Sequence, residues 1–500
     1  MRLLFISNLY PPAHLGGKEL RCQEVVRGLR SRGHTCLVLT SDFAPSGVTL
    51  PDQPGVRRVL ALETDVYYYR PLDYLLHYPA RLRANLSVLE EAVREFEPDL
   101  VFIWGMWNLS PSLFSAAEER LPGRVVYSFA GYTPLEPDLH EQFWRAQGGN
   151  WLDRQLRRAI ALLALSSRYR PVKVRSLRFA HAITCSQFVL RRLREGGLAL
   201  PHAKVVFSGI DVGRFVPAPR TISRQDGELK VVYAGELSPR KGVHVAIEAM
   251  RLLVELGHQR IDLTIVGEGH RGYCARLERM VNEPALTKRV RFQAPVPRCD
   301  MPHLLQQFDV LVLPSGVEVP EPLSRMVMEA MACELVVMGT DAGGTPEMIE
   351  HGKNGLLFAP GDSEELANHL LSLAKDLQLR QGLSTTARKT AEERFQLGRM
   401  IDEIEAFLEE IVLEPPTTPR QQNQQAVETP GPVSADLMQG CRNKRMTRRD
   451  RHVVPTLAWA IALCALPGRS SLPIPASLWH KKLISHSGEV LGGEHHRESF

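Results

Sequence analysis

The sequence predicts an α/β protein made of two doubly wound domains that face each other across a cleft. Short apolar, β-branched runs alternate along the chain with longer helical patterns, which is typical of parallel sheets built from βαβ units. The alternation stops over residues 213–228 and then restarts, which indicates two units joined by a linker. A chain of 500 residues also exceeds what one hydrophobic core usually organises.

The first unit is expected over residues 1–212, as an N-terminal Rossmann-like domain. Its predicted strands lie at residues 3–8, 34–41, 99–104, 125–129, 182–186 and 204–208. Helical periodicity between these runs predicts helices at residues 19–30, 83–95 and 187–195. Residues 213–228 contain Pro217, Pro219 and Gly227 and little apolar periodicity, so we interpret them as the interdomain linker.

The second unit is expected over residues 229–385, as a C-terminal domain of similar size. Its predicted strands lie at residues 229–234, 261–266, 290–293, 309–314, 335–339 and 355–358. Its predicted helices lie at residues 243–256, 301–308, 325–333 and 363–374. A long helical pattern follows over residues 386–413. Residues 415–500 combine polar runs and frequent prolines with a basic stretch at residues 442–451 and an apolar run at residues 453–466. We expect them to form a largely disordered tail, with contact to a membrane as the alternative.

Composition and charge exclude several classes of function. The net charge of +5 is carried by residues 415–500, where eleven basic residues stand against six acidic ones. A neutral body argues against nucleic-acid binding. The eight cysteines form no C-x-x-C pair, which favours reduced thiols in a cytoplasmic protein. No apolar run approaches the length of about 20 residues that spans a membrane, and residues 3–8 fit a buried strand better than a signal peptide.

The strongest motif runs from Pro314 to Cys333. A buried strand ends there, a loop carries Glu321, and a helix begins near Ser324. Backbone N–H groups at such a helix start favour phosphate oxygens. Glu329 lies further along the helix, within reach of a ribose, and an ionised carboxylate suits sugar hydroxyls because it accepts hydrogen bonds at fixed geometry. The alternative is that Glu329 only caps the helix or lies on its solvent-facing side.

A second motif opens the C-terminal domain. Gly235 follows a strand and permits close approach of the backbone to a ligand. Arg240 and Lys241 then place two cations at a helix start, where cations oppose the helix dipole. A bound diphosphate accounts for this placement, because Arg offers a bidentate fork and Lys a point charge. The alternative is a solvated basic turn.

Three further loops repeat the order strand, glycine, helix. They carry Gly16 with Gly17, Gly267, and the glycine pair that precedes Glu347. The carboxyl ends of the strands in two such domains face one cleft, so we expect these loops to converge on one ligand. The sequence therefore predicts a nucleotide-diphosphate sugar held between Arg240 and Glu347.

These motifs resemble those of the retaining GT-B glycosyltransferases of family 4, also called group 1. The resemblance covers residues 1–413 and rests on the Gly-Gly loop, the Lys-Gly element and two glutamates separated by seven residues before Ala-Met-Ala. It implies that Lys241 contacts the donor diphosphate, that Glu321 meets the donor sugar and that Glu329 meets the nucleotide ribose. It also implies that the helix at residues 386–413 crosses back onto the N-terminal domain.

Four positions differ from the family pattern, of which the mildest is Ser-Gly-Ile-Asp at residues 208–211 in place of Asn-Gly-Val-Asp. Glu236 stands where the family usually has arginine, and we expect Arg240 to supply that cation. Glu334 follows Cys333 where a glycine is usual. Residues 129–132, Phe-Ala-Gly-Tyr, stand where the family has His-Asp near the acceptor. A non-catalytic sugar-nucleotide binder therefore stays open, and so does an isomerase or phosphorylase, because fold alone does not fix the reaction.

The expected chemistry needs no metal or other cofactor, with the nucleotide-diphosphate sugar as co-substrate. Retaining transfer builds positive charge at the anomeric carbon, and Arg240, Lys241 and helix N-termini stabilise the leaving oxygens. The chain contains no Asp-x-Asp element that would hold a metal.

The acceptor partner is left open as a glycan, a lipid-linked sugar or a small molecule. Trp104, at a strand end, is a candidate for an acceptor pocket because aromatic rings stack on sugars. The basic segment 150–179 is interpreted as a solvated helix, with peripheral contact to the inner face of a membrane as the alternative.

Overall fold

The computed structural model describes residues 1–45, 48–145, 160–161, 164–166, 172–218, 228–258, 260–316 and 318–414. The predicted tail at residues 415–500 lies outside these described residues, as do most of the predicted linker and most of the basic segment 150–179. Within the described ranges, no helix is both long enough and apolar enough to cross a membrane.

The first domain is built on a seven-stranded parallel sheet. Its strands are β1 (Arg2–Ile6), β2 (Thr35–Ser41), β3 (Val56–Leu60), β4 (Leu100–Ile103), β5 (Val125–Phe129), β6 (His181–Thr184) and β7 (His202–Val205). The order across the sheet is β3-β2-β1-β4-β5-β6-β7. Among the residues of this domain that the structure describes, the helices are α1 (Gly17–Ser31), α2 (Pro71–Phe96), α3 (Pro111–Arg120), α4 (Leu139–Arg145) and α5 (Gln187–Glu195).

The second domain is built on a six-stranded parallel sheet. Its strands are β8 (Leu229–Ala234), β9 (Ile261–Val266), β10 (Val290–Gln293), β11 (Val310–Leu313), β12 (Val336–Thr340) and β13 (Leu356–Phe358). The order across the sheet is β10-β9-β8-β11-β12-β13. Its helices are α6 (Val243–Glu255), α7 (Arg271–Met280), α8 (Met301–Leu305), α9 (Arg325–Ala332), α10 (Ser363–Lys375) and α11 (Leu377–Arg394), and α12 (Leu397–Leu413) ends the described chain.

The direction of winding reverses once in each sheet, and this reversal places the cleft. β1 lies between β2 and β4, and β8 lies between β9 and β11. The connections after such neighbouring strands run to opposite faces of the sheet, so a crevice opens at the carboxyl ends of the strands. The predicted α/β fold with two doubly wound domains is therefore confirmed.

The central strands are apolar along their whole length because helices cover both faces of a parallel sheet. Residues Leu3 to Ile6 of β1 and all of β4 are fully buried. In the second sheet, β8 and β11 are buried in the same way, apart from the exposed Lys230 at the start of β8. Two-sided burial explains why these strands read in the sequence as continuous apolar runs.

Sequence patterns do not predict four elements, namely β3, α3, α4 and α7. β3 lies at the edge of its sheet and contains Arg57 and Arg58, so it has no continuous apolar run. The helix predicted at residues 83–95 is also too short, because α2 begins at Pro71 and continues through Pro79. A proline inside a helix removes a backbone hydrogen bond and interrupts the pattern by which helices are recognised.

The single helix expected at residues 386–413 is wrong, since the structure has two helices separated at Phe395 and Gln396. The backbone of Ile210 occupies the break. Its N–H donates to the Phe395 carbonyl and its carbonyl accepts from the Leu397 N–H, both at 2.8 Å. The returning chain thus runs beside the segment that leaves the first domain. The chain therefore passes between the domains at two adjacent places, which we call the hinge.

The final helix, α12, packs against α1 of the first domain. Val26 and Leu29 share a buried cluster with Ile401 and Leu408. Gly28 allows the close approach, because a Cβ atom on it would lie 2.2 Å from Cδ1 of Ile401. The end of the described chain therefore belongs to the first domain, in agreement with the family resemblance.

Candidate active site

The loops that follow the strands of the second sheet are joined by backbone hydrogen bonds at the edge of the cleft. The three links are Leu237 N to Glu268 O (2.9 Å), Gly316 N to Arg240 O (2.7 Å) and Gly344 N to Glu321 O (2.9 Å). They connect the loops after β8, β9, β11 and β12. The predicted convergence of the second domain's glycine loops is therefore present.

Glycines let these loops touch one another. Gly242 has a φ of +66°, and a Cβ atom on it would lie 1.7 Å from the Pro314 carbonyl oxygen. A Cβ atom on Gly267 would lie 1.9 Å from the Gly235 carbonyl oxygen, and one on Gly235 would lie 3.2 Å from the Tyr233 hydroxyl. These contacts give Gly235 and Gly267 a packing role, and their approach to a ligand stays a prediction.

The two cations at the start of α6 both face carboxylates. Lys241 Nζ bonds to Glu321 Oε2. Arg240 Nη2 lies 3.0 Å from Glu236 Oε2, and its Nη1 lies 3.8 Å from Glu321 Oε2. The expectation that Arg240 simply replaces the family's missing arginine is therefore incomplete, because Glu236 also neutralises it.

Burial changes the acid–base properties of the carboxyl groups around Arg240. Desolvation raises the pKa of Glu236 above its ordinary value, while Arg240 and Lys241 act in the opposite direction. Desolvation also raises the pKa of Glu136 in the first domain, and Arg240 again opposes the shift. Sequence reasoning missed Glu136, which lies in the first domain near enough to Arg240 for its charge to be felt.

The loop that carries Glu321 is held by the first domain. The Tyr132 hydroxyl donates to the Pro320 carbonyl at 3.0 Å, and the Ser186 hydroxyl donates to the Pro322 carbonyl at 2.9 Å. These two bonds lie on either side of Glu321 in the sequence. The position of this carboxylate therefore depends on both domains.

Glu329 is almost completely buried, with 2% of its surface exposed. Its Oε1 atom accepts hydrogen bonds from Arg298 Nη2 and from Arg325 Nε, each at 2.9 Å. Two guanidinium groups thus provide the hydrogen bonds and the opposite charge that a buried carboxylate needs. Because both arginines use Oε1, Oε2 has no hydrogen-bond partner among the described residues.

Sequence reasoning missed both arginines that hold Glu329. Arg325 precedes it by four residues on α9, and this helical spacing was a usable signal for a pair. Arg298 lies in the segment between β10 and α8, far away in the sequence, so no local pattern indicated it.

Ser324 acts as the N-cap of α9. Its hydroxyl accepts from the Val327 N–H at 3.4 Å, and 5% of the residue is exposed. The predicted helix start near Ser324 is thus correct. The hydroxyl itself is used within the helix, so it is the free N–H groups of the first turn that remain for a ligand.

Glu347 does not face the open cleft as the sequence suggested. Its two carboxylate oxygens accept from the backbone N–H groups of Gln187 (2.8 Å) and Phe188 (2.6 Å). These groups form the N-terminus of α5 in the first domain, where the helix dipole favours a negative charge. Glu347 therefore joins the two domains, and the prediction of a donor held between Arg240 and Glu347 requires this correction.

The glycine loop of the first domain has one position beside open space. The Gly16 N–H donates to Glu19 Oε2 at 3.1 Å, which closes the start of α1. A Cβ atom on Gly17 would meet no atom within 4 Å. Trp104, expected in an acceptor pocket, is instead buried, and its Nε1 donates to the Lys18 carbonyl at 2.8 Å. Its role is therefore packing.

One group of potential metal ligands occurs in the part of the chain that the structure describes. The ligand atoms of His34, Glu405 and Glu409 lie within 4.8 Å of one another. They lie at the amino end of β2, opposite the cleft, and Arg32 already bonds to Glu405. The positive charge of Arg32 opposes a metal ion there.

Comparison with known proteins identifies both domains. The model of Glycosyltransferase Family 4 matches residues 15–214, and the model of Glycosyl transferases group 1 matches residues 218–390. The glycogen synthase of Mycobacterium tuberculosis is 26% identical over 406 residues, which are 78% of this chain and 90% of that protein. The sulfoquinovosyl transferase of Arabidopsis thaliana is 24% identical over 398 residues, which are 77% of this chain and 68% of that protein.

Solved structures share the whole two-domain architecture. Anabaena HepE in complex with UDP is 23% identical, and the match covers 82% of this chain and 100% of HepE with a TM-score of 0.58. Sucrose-phosphate synthase from Thermosynechococcus elongatus is 17% identical, with 82% and 98% covered and a TM-score of 0.59. The matched family models and this shared fold show that the chain belongs to the group 1 glycosyltransferases and has the GT-B fold.

Proposed function

We propose that this glycosyltransferase moves a sugar from a nucleoside-diphosphate sugar to a hydroxyl group of an acceptor, with retention of the anomeric configuration. The observation that carries the proposal is the contact between Lys241 and Glu321. The loop of Glu321 continues into α9, where Oε2 of Glu329 has no hydrogen-bond partner among the described residues. A cation, a half-buried carboxylate and a buried carboxylate together suit the diphosphate, sugar and ribose of such a donor.

Glu329 suits the ribose because its two oxygens have different tasks. Oε1 is fixed by two arginines, and Oε2 is able to accept from a hydroxyl group. An ionised carboxylate forms stronger hydrogen bonds than a neutral acceptor. The two arginines therefore fix Oε1 and set the direction of the other oxygen.

Lys241 suits the diphosphate because its ammonium group has three N–H donors. The bond to Glu321 uses one donor and leaves others for phosphate oxygens. As the bond to the sugar breaks, negative charge builds on the diphosphate, and a positioned cation stabilises that charge. Arg240 adds a second cation if phosphate oxygens compete successfully with Glu236.

These two cations supply the charge stabilisation that a divalent metal provides in other transferases. We therefore propose turnover without a metal. Excess chelator should leave the rate unchanged, whereas a loss of activity that only added Mg²⁺ restores would contradict this part of the proposal.

Uridine diphosphate is the first nucleotide to test. Solved structures of HepE contain UDP, UDP with glucose, and UDP-glucose. The identity to HepE is 23%, which supports the choice of probe and does not fix the nucleotide of this chain. Guanosine and adenosine diphosphates belong in the same panel.

The test is to titrate these three nucleotides into the unaltered chain by calorimetry and to repeat the best one with Lys241→Ala and Glu329→Gln. We expect at least one nucleotide to bind and each variant to weaken binding about tenfold or more, because each loses a charged hydrogen bond. Lys353→Ala is the matched control, since this exposed lysine pairs with the surface residue Glu350. Equal affinity in all four proteins would contradict the site.

A second candidate is a protein that binds a sugar nucleotide without transferring the sugar. Residues 129–132 offer no acidic or histidine side chain where the family has His-Asp, and the Tyr132 hydroxyl is bonded to Pro320. Radiolabelled donors distinguish the two candidates. A transferase releases free sugar slowly even without an acceptor, whereas a binding protein retains the donor intact.

A further inference from the structure

The carboxylate assigned to the ribose is connected to the first domain through a single arginine. Arg325 Nε donates to Glu329 Oε1 at 2.9 Å. Its two terminal nitrogens donate to the two oxygens of Glu24, at 2.8 Å and 2.7 Å. Glu24 lies on α1 of the first domain, whereas Arg325 and Glu329 lie on α9 of the second.

The geometry of the guanidinium group makes this connection stiff. Its five N–H donors lie in one plane, and the bidentate pair with Glu24 fixes the orientation of that plane. The Nε–H group then points in one direction only, toward Glu329. A lysine at this position would hold one carboxylate at a time and would transmit no orientation.

The connection is most strongly shielded from water at its second-domain end. The exposed fractions of the side chains are 2% for Glu329, 17% for Arg325 and 25% for Glu24. Desolvation lowers the pKa of Arg325, but the hydrogen bonds and charges of Glu24 and Glu329 outweigh it and raise the pKa above the ordinary value. The arginine is therefore held by two carboxylates at once.

Space beside the connection allows it to respond to a ligand. A groove of about 450 Å³ runs between the domains at the hinge. Its lining includes Glu24, Arg325 and Arg298, together with Arg27, Arg214 and Phe215. A relative movement of the domains would change the distance between Glu24 and Arg325 without breaking any contact inside either domain.

We propose that Arg325 and Glu24 are positioning residues for Glu329, so that binding of the donor ribose is coupled to the contact between the two domains. This inference rests on the proposed function and assigns a donor-affinity role to a first-domain residue outside the proposed donor site. Linkage makes the coupling reciprocal: a nucleotide bound at Glu329 strengthens the contact between Glu24 and Arg325.

Calorimetric titration of the full chain with uridine diphosphate, or with whichever of the three diphosphates binds best, tests the coupling. Glu24→Gln should raise the dissociation constant about fivefold or more, the lower range of coupling between linked sites. Glu95→Gln is the matched control, because it also removes one acid of a first-domain ion pair, at 3.0 Å from Arg57 on the exposed surface. We expect it to bind as the unaltered chain does.

A double-mutant cycle separates positioning from general loosening of the fold. In an Arg325→Gln background, Glu24→Gln should cause no further loss of affinity, because the connection is already broken. In an Arg298→Gln background the effect of Glu24→Gln should persist, since Arg298 holds Glu329 but does not reach Glu24. Equal effects of Glu24→Gln in the presence and absence of Arg325 would overturn the proposal.

A second measurement records the domain contact itself. Small-angle scattering should show the unaltered chain becoming more compact when nucleotide is added, and Glu24→Gln should reduce that change. If the unaltered chain binds nucleotide and the Glu24→Gln variant binds it with the same affinity, this inference alone is overturned. If no diphosphate binds the unaltered chain, the proposed function is wrong, and the proposed coupling is wrong for the same reason.

Discussion

The carboxylate of Glu236 lies 3.0 Å from the Arg240 guanidinium, and 5% of its side chain is exposed. A buried acid that holds a cation competes with every other anion for that cation. If Arg240 meets the donor diphosphate, Glu236 must be displaced or must share the guanidinium. The donor affinity of this chain is therefore expected to be below the value its two cations would otherwise give.

Glu236→Gln tests this competition. Removing the charge frees Arg240 for the diphosphate, and we expect the affinity for the nucleotide to increase by about 1 kcal/mol, or roughly fivefold. Isothermal calorimetry measures the change. Glu248→Gln provides the control, because it removes an acid from a surface pair with Arg251. Weaker binding in Glu236→Gln would show that Glu236 supports the site instead of competing within it.

Buried histidines predict how stability depends on pH. Burial lowers the pKa of His140 from 6.5 to about 4, although its hydrogen bond to the Ala164 carbonyl acts in the opposite direction. The unfolded chain takes up this proton near pH 6.5, before the folded one does. The stabilisation is complete above that pH and is lost as the pH falls toward 4, by roughly 3 kcal/mol for this group.

His140→Gln should therefore lower stability at neutral pH but make it less sensitive to acid. Thermal unfolding between pH 7 and pH 5 measures the slope for both proteins. Burial lowers the pKa of His181 to about 4 as well, so part of the slope should remain in the variant. An unchanged slope would show that His140 does not carry this pH dependence.

Local patterns found the residues whose neighbours lie close in the sequence. Lys241 stands beside its glycine turn, and Glu321 and Glu329 share one strand–loop–helix segment, so their motif was visible and the structure brings them to one edge. Glu347 shows the limit of such patterns. Its glycine loop does reach the cleft, but its carboxylate accepts hydrogen bonds from backbone N–H groups some 160 residues earlier in the chain. No local spacing in the sequence indicates that contact.

At the scale of elements, the site depends on loops packed backbone to backbone. Gly242 is the tightest case. Its left-handed conformation disfavours a side chain, and the Pro314 carbonyl oxygen would lie 1.7 Å from an added Cβ atom. The turn that carries Arg240 and Lys241 is thereby held against the loop after β11. Displacing it would move both cations relative to Glu321.

Gly242→Ala should destabilise the protein by roughly 2 kcal/mol more than Gly257→Ala, because only the first adds a steric clash. The control is matched, since Gly257 has a φ of +82° and no atom within 4 Å of an added Cβ. Chemical denaturation gives the stability difference, and nucleotide binding should fall only in Gly242→Ala. Similar losses in both variants would show that backbone conformation alone decides the effect.

Strands that are buried on both faces were predictable from the sequence, whereas a boundary set by a distant contact was not. The central strands of both sheets appear in the sequence as apolar runs because helices cover both of their faces. The break between α11 and α12 was not visible, since it depends on Ile210 pairing with the chain at Phe395 and Leu397. A helix that ends because a distant strand-like segment bonds to it carries no local signal.

At the scale of the whole molecule, contacts from the first domain support the site in the second. Glu347 caps α5, Ser186 and Tyr132 bond to the loop of Glu321, and Glu24 bonds to Arg325. The two faces of the cleft are thus joined by polar contacts, which a domain movement is able to break and re-form more readily than a large apolar interface.

Glu347→Gln should loosen the domains without removing the donor site. Losing the charge at the N-terminus of α5 weakens the interdomain contact by about 1 kcal/mol, so the radius of gyration without ligand should increase. Glu350→Gln is the control, as an exposed acid on the same segment. Nucleotide affinity should fall less than in Glu329→Gln. An equal fall would mean that Glu347 itself contacts the donor.

We propose that the chain breaks a nucleoside-diphosphate sugar at the site of Lys241, Glu321 and Glu329 and retains the anomeric configuration. The direct measurement follows the hydrolysis of α-linked donors by proton NMR, before the free sugar equilibrates between its anomers. We expect the α-anomer to appear first and Glu321→Gln to abolish its release. Release of the β-anomer first, or no release from any donor although the nucleotide binds, would contradict this proposal.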